Sequence, residues 1–213
     1  MNKKITVEEL NQHERISGYY QFQSRIYDMT RWSFLFGRLQ ILKQIDFQPS
    51  DSFRLAEIGC GTGFNLKYLA QKYPNIELIG ADVSKDMMNI TRKKMAALPT
   101  KCTLHQQAYD RHSTILEQAP DIVLFSYALT MINPQWKELV DKTYEDLPAG
   151  GKIMVVDFHD SALPFFKSHM SNHHVRMDGH LLPELKQRFK TIHSAVKAAY
   201  GGVWQYFMYV GEK

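Results

Sequence analysis

The sequence predicts an α/β protein: a mostly parallel sheet with helices on both faces, finished by an antiparallel hairpin and preceded by a helical segment. Three observations carry this. Short apolar runs alternate with longer amphipathic ones between residues 53 and 158. A glycine-rich turn leaves the first run, and two strand-like segments flank Tyr200-Gly201-Gly202 near the end of the chain.

The apolar runs at 53–59, 76–82, 102–108, 121–127 and 152–158 read as buried strands. Between them, residues 63–73, 84–98 and 134–147 carry apolar side chains at helical spacing. Ser84 caps the second of these helices. Pro134 suits the first turn of the third, and Gly150-Gly151 suits its stop. The segments 189–198 and 203–211 read as the two strands of the closing hairpin, with Tyr200-Gly201-Gly202 as its turn.

Residues 7–46 are helical in pattern, with aromatics crowded into 19-YYQFQSRIYDMTRWSFLFGR-38, and Pro49-Ser50-Asp51 punctuates their end. The expected organisation is therefore a helical segment at 1–50 and an α/β domain at 51–213, with 159–183 inserted after the fifth strand.

At 213 residues there is enough chain for one domain with a full core. The balance of 26 basic against 22 acidic side chains, formal net charge +4, is too even for a nucleic-acid stripe. It suits either a solvated surface or peripheral contact with an anionic membrane. No run is long enough to span a bilayer, and the start lacks the apolar core of a secretory signal, so a cytoplasmic location is expected. Cys60 and Cys102 form neither a disulfide framework nor a metal pattern.

The chemistry concentrates in 55-LAEIGCGTGFN-65. Gly59, Gly61 and Gly63 let the backbone turn tightly and come close to a ligand, and the following helix turns unpaired N–H groups toward an anion. The spacing is not the dinucleotide fingerprint: the third position falls on Phe64 when read from Gly59 and on Leu66 when read from Gly61. No Gly-Lys-Ser/Thr follows, which excludes the Walker loop. Nineteen residues past Gly63 stands Asp82, a carboxylate able to accept from both hydroxyls of a ribose without a 2′-phosphate.

The run E-x-G-x-G-x-G from Glu57, the gap and the acid together resemble the class I S-adenosylmethionine-dependent methyltransferases. That resemblance implies a Rossmann-like sheet, with the methionine end of the cofactor on Glu57, Gly59, Cys60, Gly61 and Gly63 and its ribose on Asp82. It implies Val83 and Met87 against the adenine, although Met87 also reads as plain core. Gln107 and Ala108 stand where the family has Asp-Ala at the adenine amino group, and the Gln is a departure. Ser126, at the end of the fourth strand, falls beside the cofactor. Residues 1–50 become a helical lid in which Tyr27 and Arg31, one turn apart, reach the cofactor or its substrate.

Methyl transfer needs a nucleophile held in line with a sulfonium, and requires no metal. Tyr127 suits a cationic sulfonium or an amine becoming quaternary, with Tyr19 and Tyr20 as further walls. Asp157 and His159 are candidates to take the amine proton, and a buried structural acid is the other reading of Asp157. The stretches 26–38, 124–136 and 153–158 further resemble the bacterial betaine-lipid enzymes that trimethylate diacylglyceryl-homoserine, and phosphatidylethanolamine N-methyltransferases. A lipid amine is the acceptor this implies; a soluble amine or carboxylate is the alternative, and a binding module without turnover is the third.

The insertion holds five histidines, His159, His169, His173, His174 and His180, without cysteine or motif spacing, so no metal is expected. His174, Arg176 and His180 are expected to face an anionic headgroup, unless the insertion is a solvated loop.

Overall fold

The structure is a computed structural model, and it describes residues 34–172 and 175–213. The expected sites Tyr19, Tyr20, Tyr27, Arg31 and His174 lie outside the described residues. The chain divides after Leu35, and Phe36–Lys213 is one compact unit.

That unit is built on a seven-stranded sheet of order β3-β2-β1-β4-β5-β7-β6. Its strands are β1 (Arg54–Ile58), β2 (Glu77–Ala81), β3 (Cys102–His105), β4 (Ile122–Ser126), β5 (Lys152–Phe158), β6 (Lys190–Ala199) and β7 (Trp204–Glu212). The first five run parallel, and β7 pairs antiparallel with both β5 and β6. Every expected strand is present. The inner parallel strands are legible because they are covered on both sides; all five residues of β4 are buried, whereas β3, at the edge, is only partly covered.

The helices are α1 (Arg38–Leu42), α2 (Phe64–Lys72), α3 (Lys85–Ala96), α4 (Trp136–Asp146), α5 (Pro164–Asn172) and α6 (Leu181–Arg188). On one face of the sheet, Ala56, Ile58, Val123, Phe125 and Val155 meet Leu139 and Val140 of α4 and Leu181 and Leu185 of α6. On the other, Leu66 of α2 lies so close to Gly80 that a Cβ there would stand 2.7 Å from it. Ser84 caps α3 as expected, its hydroxyl accepting from the Met87 N–H at 3.4 Å.

Three expectations need correction. Pro134 is not in the helix: its peptide bond to Asn133 is cis, and α4 starts at Trp136 behind Gln135. The insertion contains two helices, and the second runs on to Arg188. Residues 36–46, expected with the N-terminal segment, pack on the sheet instead. Ile41, Leu42 and Ile45 are buried, the Gly37 backbone fits against Tyr206 and Val156, and Asp46 pairs with Lys152 at 2.5 Å.

The order of strands reverses between β1 and β4. Parallel sheets open a crevice at that point, outside the carboxyl ends of the strands. The turns after β1, β2 and β4 all open there, and they carry Gly59–Gly63, Asp82 and Ser126.

Candidate active site

The glycine turn is a locked structure. Gly59, Gly61 and Gly63 have φ of 73°, 53° and 72°, in the region that favours glycine. The N–H groups of Gly59 and Cys60 both donate to the Ala81 carbonyl, at 2.8 and 3.0 Å, which ties the turn to the end of β2. The Gly63 N–H donates to Cys60 O, and the Thr91 hydroxyl of α3 donates to Gly61 O at 2.7 Å. A Cβ on Gly63 would meet Thr91 Cγ2 at 2.7 Å, so glycine is also what lets α2 start this close to α3.

Asp82 closes the lock. One carboxylate oxygen accepts from the Gly61 N–H at 2.8 Å and the other from the Ser84 N–H at 2.9 Å. A carboxylate oxygen accepts more than one hydrogen bond, so both keep capacity for a hydroxyl. Asp82 therefore holds the turn in shape before anything binds, and still offers two acceptors.

These residues fit an adenosyl sulfonium. The Ser126 Oγ is buried without a hydrogen-bond partner among the described residues, which marks a polar group able to take one. Val83, beside Asp82, is 70% exposed, an apolar surface of the kind a nucleobase covers. Met87 is half-buried in the first turn of α3, and Gln107 and Ala108 are exposed in the loop after β3. Gln107 lines a polar cavity of about 430 Å³ shared with Arg54, Glu77 and Lys101, which extends toward the opposite ends of the strands. Helix α2 begins at Gly63 with no side-chain cap, so its first-turn N–H groups are the donors left for a carboxylate.

Two residues expected on the cofactor turn their side chains to partners within the protein. Glu57 is buried in β1 and accepts from Asn65 Nδ2 at 2.6 Å, anchoring the start of α2. The Cys60 side chain turns into the core onto Met88, at 3.8 Å between sulfurs, and burial pushes its thiol far above the usual range. Its N–H is already engaged by Ala81, so it offers little to a ligand.

On the acceptor side the structure corrects three assignments. Tyr127 is 2% exposed, with φ of 57°, and its hydroxyl donates to the Phe36 carbonyl at 2.7 Å. Its ring stands edge-on to Phe158, and burial holds its hydroxyl well above the ordinary range, so it clamps residue 36 to the sheet. Asp157 is fully buried and accepts from the Thr130 hydroxyl at 2.5 Å, the Thr130 N–H at 3.2 Å and the Phe158 N–H at 2.8 Å. It anchors the 3₁₀ turn Leu129–Met131 that follows β4. Burial raises its carboxyl to about 6 against the pull of those hydrogen bonds. His180 is wedged beside Trp136, bonded through Nδ1 to Asp178, with its side chain 9% exposed. Burial lowers its pKa, so it is a neutral wall and not a cation for a headgroup.

His159 and Arg176 remain accessible. His159 is half-buried at the exit of β5, and burial lowers its pKa, which keeps a lone pair at neutral pH. Arg176 is half-exposed, and its N–H donates to Thr130 O at 2.9 Å.

The sequence reading missed Arg38, whose guanidinium lies 4.3 Å from the centre of the Phe64 ring, next to the glycine turn. It also missed Lys167, which pairs with Asp160 at 2.5 Å. Neither belongs to a local pattern, and only the fold brings each to its partner.

Comparison with known proteins agrees with this geometry. Residues 55–151, from β1 to the start of β5, match the family model "Methyltransferase domain". Among curated proteins, it is 28% identical over 116 residues to the carboxy-S-adenosyl-L-methionine synthase of Campylobacter lari, covering 53% of this chain and 48% of that one. The match thus spans about half the relative's length. Among solved structures, the fold is similar to an N-methyltransferase of Bradyrhizobium japonicum in complex with S-adenosyl-L-homocysteine, with TM-score 0.66, 14% identity, and 83% and 85% of the two chains covered. It is also similar to phosphoethanolamine N-methyltransferase 2 of Haemonchus contortus in complex with S-adenosyl-L-methionine, with TM-score 0.65, 16% identity, and 83% and 52% covered.

Proposed function

We propose that this protein is an S-adenosylmethionine-dependent N-methyltransferase whose acceptor is the amine of a lipid headgroup. The observation that carries the cofactor half is the hydrogen bond from Gly61 to Asp82, which fuses the turn and the acid into one preformed seat.

When bound, the cofactor supplies an electrophilic methyl group on a sulfonium. Asp82 would hold the ribose, with Val83 and Met87 along the base and Gln107 and Ala108 at its edge. The uncapped first turn of α2 would receive the carboxylate of the methionine end, and the Ser126 hydroxyl would gain a partner. The protein's contribution to rate is then largely orientation, since a held amine reacts as part of one molecule. An ammonium must shed its proton before it attacks. His159, neutral and accessible after β5, is the acceptor left once Asp157 and Tyr127 are engaged inside the fold.

The lipid half is supported by α5. None of its residues is buried, and Phe165 stands 85% exposed with Leu163 46% exposed before it, an apolar surface beside the acceptor side of the sheet. No helix among the described residues is long and apolar enough to cross a membrane, so such contact would be peripheral.

The test is transfer of a labelled methyl group into a total lipid extract beside a panel of soluble amines and carboxylates. Label in an amine-bearing lipid is expected. Label only in a soluble product replaces the lipid reading with the alternative, and label in neither removes the activity.

A further inference from the structure

A second concave site is built on the turn that follows β4. A cavity of about 510 Å³ is lined by Met131, Asn133 and Pro134 from that turn, by Lys167 and Ser171 of α5, and by Arg176. Its volume lies in the range of small-molecule sites. Lys167 and Ser171 are four residues apart and share one face of their helix.

The floor of this cavity is braced. The Thr130 carbonyl accepts from Asn133 Nδ2 at 2.7 Å and from the Arg176 N–H at 2.9 Å, while the Thr130 hydroxyl is held by buried Asp157. The turn leaving β4 and the chain bearing Arg176 are therefore one rigid piece, and it starts a few residues past Ser126.

The donors are aimed. Arg176 gives its Nε–H to Asp178 at 2.7 Å, which fixes the plane of the guanidinium and leaves the N–H groups of both terminal nitrogens. Those nitrogens form no hydrogen bond to another described residue. Lys167 gives one of its three N–H bonds to Asp160 at 2.5 Å and keeps two. The paired acids cancel the formal charge, so the site does not gather anions by excess charge. It selects by geometry: two terminal guanidinium nitrogens match the two oxygens of a carboxylate or phosphate, and an ammonium adds a third donor. Cations lining the wall disfavour a metal ion or a bare amine. Met131 and Pro134 supply an apolar flank for a carbon skeleton.

We infer that this cavity is the anion subsite of the acceptor: the molecule that is methylated carries a carboxylate or phosphate, held by Arg176 and Lys167. The inference rests on the methyltransferase reading and narrows its substrate to an acidic amine.

The test is calorimetric titration of the full chain, with and without S-adenosylhomocysteine, using O-phosphoethanolamine and the same amine without its acid, ethanolamine. The phosphate-bearing amine is expected to bind at least about tenfold more tightly, a difference within the reach of charge-assisted hydrogen bonds. Arg176→Gln and Lys167→Gln, both at solvent-accessible positions, are each expected to remove most of that difference while affinity for S-adenosylhomocysteine stays within about twofold. Equal binding of the two amines, or discrimination that survives in both variants, overturns the inference. Inorganic phosphate and phosphatidylglycerol vesicles serve as competitors. Competition by vesicles alone places the acid on a lipid, by phosphate alone on a soluble molecule, and by neither overturns the subsite. Because binding is read and not turnover, failure of lipid methylation leaves this result standing.

Discussion

The Gly61 N–H and the Asp82 carboxylate stand 2.8 Å apart, so the turn after β1 and the acid after β2 are one unit. The acid proposed to grip a sugar also sets the shape of the loop beside it. The proposed seat is therefore already in shape without a ligand, and on that proposal ordering it costs binding little.

Asp82→Ala removes both the loop's brace and the acceptors proposed for the ribose. Affinity for S-adenosylhomocysteine is expected to fall about a hundredfold, equivalent to two charge-assisted hydrogen bonds at the low end of their range. Titration calorimetry measures this. Thermal unfolding without ligand should show a separate loss of about 1–2 kcal/mol from the Gly61 and Ser84 bonds.

Gly63→Ala is expected to destabilise the fold by about 2–4 kcal/mol, since it combines a left-handed backbone with a clash. Thr91 Cγ2 makes the clash, while the Thr91 hydroxyl bonds Gly61 O. Thr91→Ser removes the methyl and keeps the hydroxyl, so it should recover about 1 kcal/mol or more in the alanine background. Urea denaturation of the four proteins in this cycle decides it; additive costs would mean that the contact is not what excludes a side chain.

Asp157 makes stability depend on pH in an unusual direction. Burial raises its carboxyl from 3.8 to about 6, so between those values the folded protein binds a proton that the unfolded chain has released. The sign follows: this group favours folding below about pH 4, and its contribution falls as pH rises through 6. The change amounts to about 3 kcal/mol. Chemical denaturation of wild type and Asp157→Asn from pH 4 to 7 isolates it, because other groups titrate in both. The wild type should lose ground to the variant by about that amount. Parallel curves would show that Asp157 is not desolvated.

Tyr127→Phe tests whether that hydroxyl is structural. The variant should lose about 1 kcal/mol of stability with the Phe36 carbonyl bond, while kcat for methyl transfer stays within about threefold of wild type. A fall of about a hundredfold with unchanged stability would return Tyr127 to the reaction.

Much of this was legible in the sequence because its signals are local. Buried strands read as apolar runs, which is how β1, β2, β4 and β5 could be found, whereas the mostly exposed β6 was legible only through the hairpin turn beside it. Gly59, Gly61 and Gly63 betrayed a turn because left-handed backbone leaves few alternatives. What stayed illegible depends on pairs distant in the chain. The Tyr127 hydroxyl meets a carbonyl 91 residues away, and no periodicity records that. Helix α5 escaped notice because it buries nothing, so it has no apolar stripe to announce it. For Asp157 the sequence leaves a proton acceptor and a buried structural acid both open, and for His180 it suggests a headgroup contact; packing turns both inward, and the charged types alone do not disclose which way they face.

The most direct test is a crystal structure of the full chain grown with S-adenosylhomocysteine. Both ribose hydroxyls should lie within hydrogen-bond distance of the Asp82 carboxylate, with the Gly61 N–H still on it and the Ser126 hydroxyl no longer without a partner. Density for the ligand elsewhere, or a glycine turn that is empty at saturating concentration, would contradict the account.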